Sequence, residues 1–122
     1  MRKYVLIALW VLGLMIPVAA QDKAVSTSKL AWDQPAPDLS AAQGYTYRYY
    51  PDGAPTGVAL TSVACTNIAS IFTCSVGFPA FTPGLHTLTL TASNIAGESA
   101  QSAIFTFTFV VVPGAPHTIH IQ

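Results

Sequence analysis

Pro83-Gly84-Leu85-His86-Thr87-Leu88-Thr89-Leu90-Thr91-Ala92-Ser93-Asn94 is the stretch that decides the fold. Successive side chains on an extended strand point to opposite faces. His86, Leu88, Leu90 and Ala92 therefore share one face, and Thr87, Thr89, Thr91 and Ser93 share the other. The spacing predicts a strand with one side on a core and one in solvent.

The same period recurs on both sides of this strand. Asn94-Ile95-Ala96-Gly97 reads as a turn, and Ser102 to Val112 as a sixth strand with Phe105, Phe107, Phe109 and Val111 on one face. Upstream, Ile71 to Val76 is a fourth strand and Val58 to Cys65 a third. Tyr45-Thr46-Tyr47-Arg48-Tyr49-Tyr50 is the second, closed by Pro51-Asp52-Gly53, whose proline and glycine suit a turn. A first strand covers roughly Val25 to Trp32, with Leu30 and Trp32 on one face and Lys29, Ala31 and Asp33 on the other, and stops at Gln34-Pro35-Ala36-Pro37. Helical three-four spacing never lasts beyond a turn. Six regularly spaced strands argue an all-β sandwich of two antiparallel sheets.

Three pieces then resemble a known family: Lys29-Leu30-Ala31-Trp32-Asp33, Gly44-Tyr45-Thr46-Tyr47-Arg48-Tyr49, and Pro83-Gly84-Leu85-His86 running through Leu88, Leu90, Ala92 and Asn94 to Gly97. In this order they resemble a fibronectin type III domain over roughly residues 25 to 112. In that family a tryptophan on strand B packs in the core, strand C begins Gly-Tyr, and strand F runs from a Pro-Gly corner to Ala-x-Asn and a glycine. The resemblance implies an immunoglobulin-like sandwich with Trp32, Tyr45, Tyr47, Tyr49, His86, Leu88, Leu90 and Phe107 in its core. His86 stands where the family has a corner tyrosine, as in the Gly-x-His-Thr pattern of bacterial immunoglobulin-like repeats, to which the chain is also similar. An imidazole there can bond nearby backbone as the tyrosine does. Little sequence precedes the B-like strand for an ordinary strand A, so one sheet edge is expected to be short or open.

The start of the chain carries an address. Met1-Arg2-Lys3 precedes seventeen uncharged residues, Tyr4 to Ala20, which end in Val18-Ala19-Ala20. That layout reads as a signal peptide cut after Ala20, with an uncleaved membrane anchor as the alternative. It places the protein in the secreted, periplasmic or cell-surface space, with no membrane contact after cleavage. In such an oxidising compartment Cys65 and Cys74, nine positions apart, read as a disulfide worth about 2.7 kcal/mol. Metal ligation lacks a second ligand pair, and a redox role lacks the CxxC spacing.

The composition excludes several functions. Of 122 residues 8% are charged. After Ala20, Lys23, Lys29 and Arg48 face Asp22, Asp33, Asp38, Asp52 and Glu98, a net charge of −2. Nucleic-acid binding needs a basic face that three cations cannot form. For catalysis the candidates are His86, His117, His120 and the five carboxylates. Asp52 reads as a turn residue and Glu98 as a solvated loop residue. No nucleophile, phosphate-loop or dinucleotide motif is present. No cofactor, no metal and no enzymatic activity are expected.

Recognition is then left to the surface. Parity turns Tyr45, Tyr47 and Tyr49 inward and leaves Arg48 and Tyr50 outside as a binding face, since exposed Tyr and Arg suit recognition. Gln34 to Gln43 and Asn94 to Gln101 are loop alternatives. Beyond Pro113-Gly114-Ala115-Pro116, His117-Thr118-Ile119-His120-Ile121-Gln122 alternates again, either as a spare strand for its own or a neighbour's sheet edge or as a frayed end. The expected function is an exported, non-catalytic protein-interaction or adhesion module. The alternatives are a carbohydrate-binding module stacking a cell-surface glycan on Tyr50, and a subunit that assembles by strand exchange through residues 113–122.

Overall fold

The computed structural model describes residues 22–122. The signal read over residues 1–20 lies outside the described residues. The elements run in the order β1 Asp22–Ala24, β2 Lys29–Asp33, α1 Leu39–Gly44, β3 Thr46–Pro51, β4 Val58–Ala59, β5 Ala64–Ile68, β6 Ile71–Gly77, β7 Gly84–Asn94, β8 Gly97–Glu98 and β9 Phe105–Phe109. They form an all-β sandwich. One sheet has the order β1-β9-β7-β3-β4, with β8 also on β7, and the other has the order β2-β6-β5.

The strand predicted from residues 83–94 is present as β7, and its Leu88 is 2% exposed. Its outer face is not solvent: Thr89 and Thr91 are buried. The first strand is shorter than expected, and a separate β1 precedes it. β1 pairs parallel with β9, Asp22 opposite Phe107, so the first sheet is not wholly antiparallel. Its direction follows from the connection. The tight turn at Val25–Ser28, closed by the Ser28 amide on the Val25 carbonyl, sends the chain back into the opposite sheet as β2.

The third predicted strand is two strands in two sheets. Val58–Ala59 pairs with β3, while Ala64–Ile68 pairs with β6. Leu60 to Val63 crosses between them with Ser62 at φ 64°, and Leu60 and Val63 pack inward. The stretch looks like one strand because apolar residues continue through the crossing and face the core there too.

The expected loop 34–43 runs into α1, which begins at Leu39 and which the sequence pattern did not show. Asp38 caps it by accepting from the Ala41 amide at 2.8 Å, and Ala42 is fully buried. Two clusters fill the interior. One gathers Leu30, Val76, Leu88, Phe107 and Phe109; the other gathers Ala42, Tyr47, Cys65 and Cys74. Trp32, partly buried, packs against both.

Residues 110–122 form no strand and are exposed. The predicted sixth strand thus spans only Phe105–Phe109, because the register of β9 on β7 stops at Gly84 and Phe109, where β7 begins.

Candidate functional site

Arg48 and Tyr50 do leave the core on the predicted face, but they are not a free recognition surface. Tyr50 is 8% exposed. A Cβ placed on Gly57 would come within 2.7 Å of the Tyr50 ring, so the residue-57 loop lies directly on it. The Tyr50 hydroxyl donates to Glu98 at 2.5 Å, and the Thr91 hydroxyl donates to the same carboxylate oxygen at 2.5 Å. These donors, Thr91 first, hold the Glu98 carboxyl below its ordinary range, and the bond to Glu98 raises the Tyr50 phenol. Glu98 is thus exposed as expected, but it lies in β8 and also accepts from two hydroxyls. Arg48 is half-buried and donates to the Ser93 hydroxyl at 3.2 Å.

Parity placed these side chains on a face but could not show what lies over it. The cover comes from the residue-57 loop between β3 and β4 and from the chain after β7. Continued down the strand, the Asn94–Gly97 pairing of β8 would put Leu88 opposite Ala103, yet Leu88 lies opposite Phe105. Two extra residues are absorbed in between, as in an enlarged bulge. There Ser99 and Ser102 replace backbone acceptors with side chains: their hydroxyls take the amides of Ala92 and Leu90, each at 3.0 Å. Gln101 accepts from Thr89 at 2.7 Å on the outer face.

Tyr47 is buried as expected, and Tyr45 and Tyr49 are partly buried. His86 faces inward, opposite Phe107, with its side chain 14% exposed. Nδ1 lies 2.8 Å from Asp52 Oδ2 and Nε2 lies 2.8 Å from the Thr82 carbonyl. Two acceptors, one at each ring nitrogen, favour the imidazolium, so the hydrogen bond to Asp52 and then that to Thr82 raise the His86 pKa. Asp52, at φ 51°, also accepts from the Thr87 amide at 3.0 Å; that bond first, then His86, lowers its pKa. The pair is a clamp between the β3 turn and the start of β7.

The clamp sets a pH window. A raised histidine contributes its stability below its ordinary 6.5 and loses it as pH climbs through the folded value. A lowered aspartate contributes above its ordinary 3.8 and loses that as pH falls through its folded value. Melting temperature is accordingly expected to be highest between these ordinary values and to fall on the alkaline side. His86→Gln should remove the alkaline decline; an unchanged profile would contradict the clamp.

A cleft of about 980 Å³ opens between the two sheets. Residues 29–35 form one bank and residues 96–100, Ser102 and Phe105 the other; Phe78, Leu88 and Leu90 lie between. No family model matches the chain, and no curated protein does. The chemistry of this trough is therefore read from its own residues.

Its banks differ in one respect that matters. The Gln34 amide bonds the Phe72 carbonyl, and the Phe78 amide bonds the Ser28 carbonyl. On an antiparallel pair hydrogen bonding alternates along the strand. Hence Leu30 and Trp32 use their backbone groups on β6, and Lys29, Ala31 and Asp33 aim theirs away from it, at the trough. Among the described residues no strand pairs with that edge of β2. The other edge of the same sheet is covered by α1, whose Gln43 side chain accepts from the Cys65 amide. The indole Nε1 of Trp32 is buried, with no hydrogen-bond partner among the described residues. Sequence parity identified Leu30 and Trp32 as inward but gave no sign that their strand has a free edge, because edges depend on where distant segments pair.

Proposed function

We propose that the chain is an exported, non-catalytic protein-interaction module of the fibronectin type III kind that takes an extended polypeptide segment into the trough beside β2. The observation that carries this reading is the coincidence of a strand edge that no described residue pairs with and an apolar cleft along that edge. Strand addition uses both: the edge supplies main-chain hydrogen bonds, and the cleft receives alternate side chains.

The strand order supports the family reading. β2, β6 and β5 lie as B, E and D do in an immunoglobulin-like sandwich, and β3, β7 and β9 lie as C, F and G do. Strand A would sit beside B, whereas β1 sits beside β9. That displacement is what leaves β2 uncovered. The Cys65–Cys74 disulfide supports an oxidising compartment, in keeping with export. The glycan alternative loses the residue it rested on, since Tyr50 lies under the residue-57 loop and is bound to Glu98.

The test is selection of displayed hexapeptides on the folded chain, with Ala31→Pro as the counter-target. Ala31 is exposed and its amide points into the trough, so proline there removes a donor the fold does not use. Selected peptides are expected to alternate apolar and polar residues and to bind Ala31→Pro at least tenfold more weakly. Peptides without that period, or with equal affinity for both chains, would refute the reading.

A further inference from the structure

We propose that the segment taken up by the trough is residues 117–122 of a second copy of this chain, an inference that rests on the trough being a strand acceptor. In His117-Thr118-Ile119-His120-Ile121-Gln122, Ile119 and Ile121 fall on one face of an extended strand. They are 92% and 98% exposed, so each chain carries a strand-competent segment whose apolar side chains meet only water.

The match to the trough is one of period, length and backbone. Ile119 and Ile121 are two residues apart, as are Leu30 and Trp32 on the inner face of β2. Six extended residues reach roughly 20 Å, enough to run the length of the five-residue β2. With its backbone on Lys29, Ala31 and Asp33, the added strand drops both isoleucines between the sheets, against Leu88, Leu90 and Phe105. Residues 110–116 connect the segment to β9. Pro113 and Pro116 cannot donate to a ladder, and residues 117–122 stay exposed instead of filling the trough of their own chain, which leaves the segment to a neighbour. Donor and acceptor are different surfaces of the chain, so the contact is heterologous and each copy can receive one segment while giving another.

The experiment is sedimentation of the intact chain across a hundredfold concentration range, with two variants. Ile119→Asp/Ile121→Asp disables the donor and Ala31→Pro the acceptor; both change exposed residues, and a melting curve checks that each folds. Should Ala31→Pro not fold, Ala100→Arg blocks the opposite bank instead. The expected result is a mass that rises with concentration for the wild type, monomers for each variant alone, and a heterodimer that grows no further when the two are mixed. In the mixture, exchange of the Lys29, Ala31 and Asp33 amides of the aspartate variant should slow at least tenfold. A wild type that stays monomeric, or a mixture that does, overturns the inference. So does faster exchange at those amides in the monomeric aspartate variant than in the monomeric wild type, which would mean the chain fills its own trough. If selected hexapeptides still bind in an Ala31-dependent way, only the occupant is wrong; if they do not, the acceptor reading has failed as well.

Discussion

Phe107→Ala should lower the unfolding free energy by about 3–5 kcal/mol, the range for removing a buried phenylalanine. Phe107 is 0% exposed. Its ring lies 5.0 Å from Phe78 and 4.9 Å from Phe81, both edge-on, which adds aromatic contact to the area it buries. β9 is also held on both sides, by β1 and by β7, so the ring cannot be replaced by a simple inward shift of its strand. A domain of this size has a total stability of about 5–15 kcal/mol, and the variant would stand close to unfolding at 25 °C. Phe105→Ala is the control. Phe105 is 36% exposed on the bank of the trough, and its removal should cost a fraction as much. Urea denaturation of the three chains decides the matter: equal losses for the two alanine variants would show that the core does not centre on Phe107.

How far the sequence reached is clearest from β7 and β3. Both lie against a neighbour along most of their length, so each alternate position meets the core and the period-two signal is strong. The inward set from His86 to Ala92 was legible for that reason, as was Tyr47. The short elements were not. β1 has three residues and β4 two, too few to show a period. α1 has six, below the length at which a helix stands alone; its capping residue Asp38 and the buried Ala42 were visible as residues, but what stabilises the helix is packing on β5 and β6. The candidate site was legible in half. Leu30 and Trp32 were read as inward, and the 117–122 segment as strand-competent. The free edge of β2 follows from where β1 pairs, and the cover over Tyr50 from the adjoining residue-57 loop together with Glu98, 48 residues away. A one-residue change in where β1 or β8 pairs would alter them without changing any local pattern.

Breaking the Cys65–Cys74 bond should cost about 2.7 kcal/mol in the chain-entropy account, with strain subtracting from it, and this hairpin has reasons to depend on it. Cys65 and Cys74 sit opposite each other on β5 and β6. The turn that joins these strands is Ala69-Ser70, with φ 51° and 70°. Both central residues are left-handed, a geometry usually given to Asn-Gly, so the turn itself disfavours the hairpin. The bridge acts in the opposite sense by limiting the open conformations of the unfolded chain. It is also part of the second core cluster. Cys74 is 0% exposed, and the Tyr47 hydroxyl lies 3.5 Å from its sulfur while donating to the Ala42 carbonyl at 2.6 Å. Burial pushes the Tyr47 phenol up to about 12, so it remains a donor throughout the neutral range. Reduction should therefore lower the denaturation midpoint and loosen α1, whose end the Tyr47 hydroxyl ties to the disulfide. Amide exchange on the oxidised and reduced chains would read both effects at once, with protection lost first at residues 64–75 and in α1. If the two chains share one midpoint, the bond does not hold this sheet together, and the hairpin must be kept closed by its packing alone.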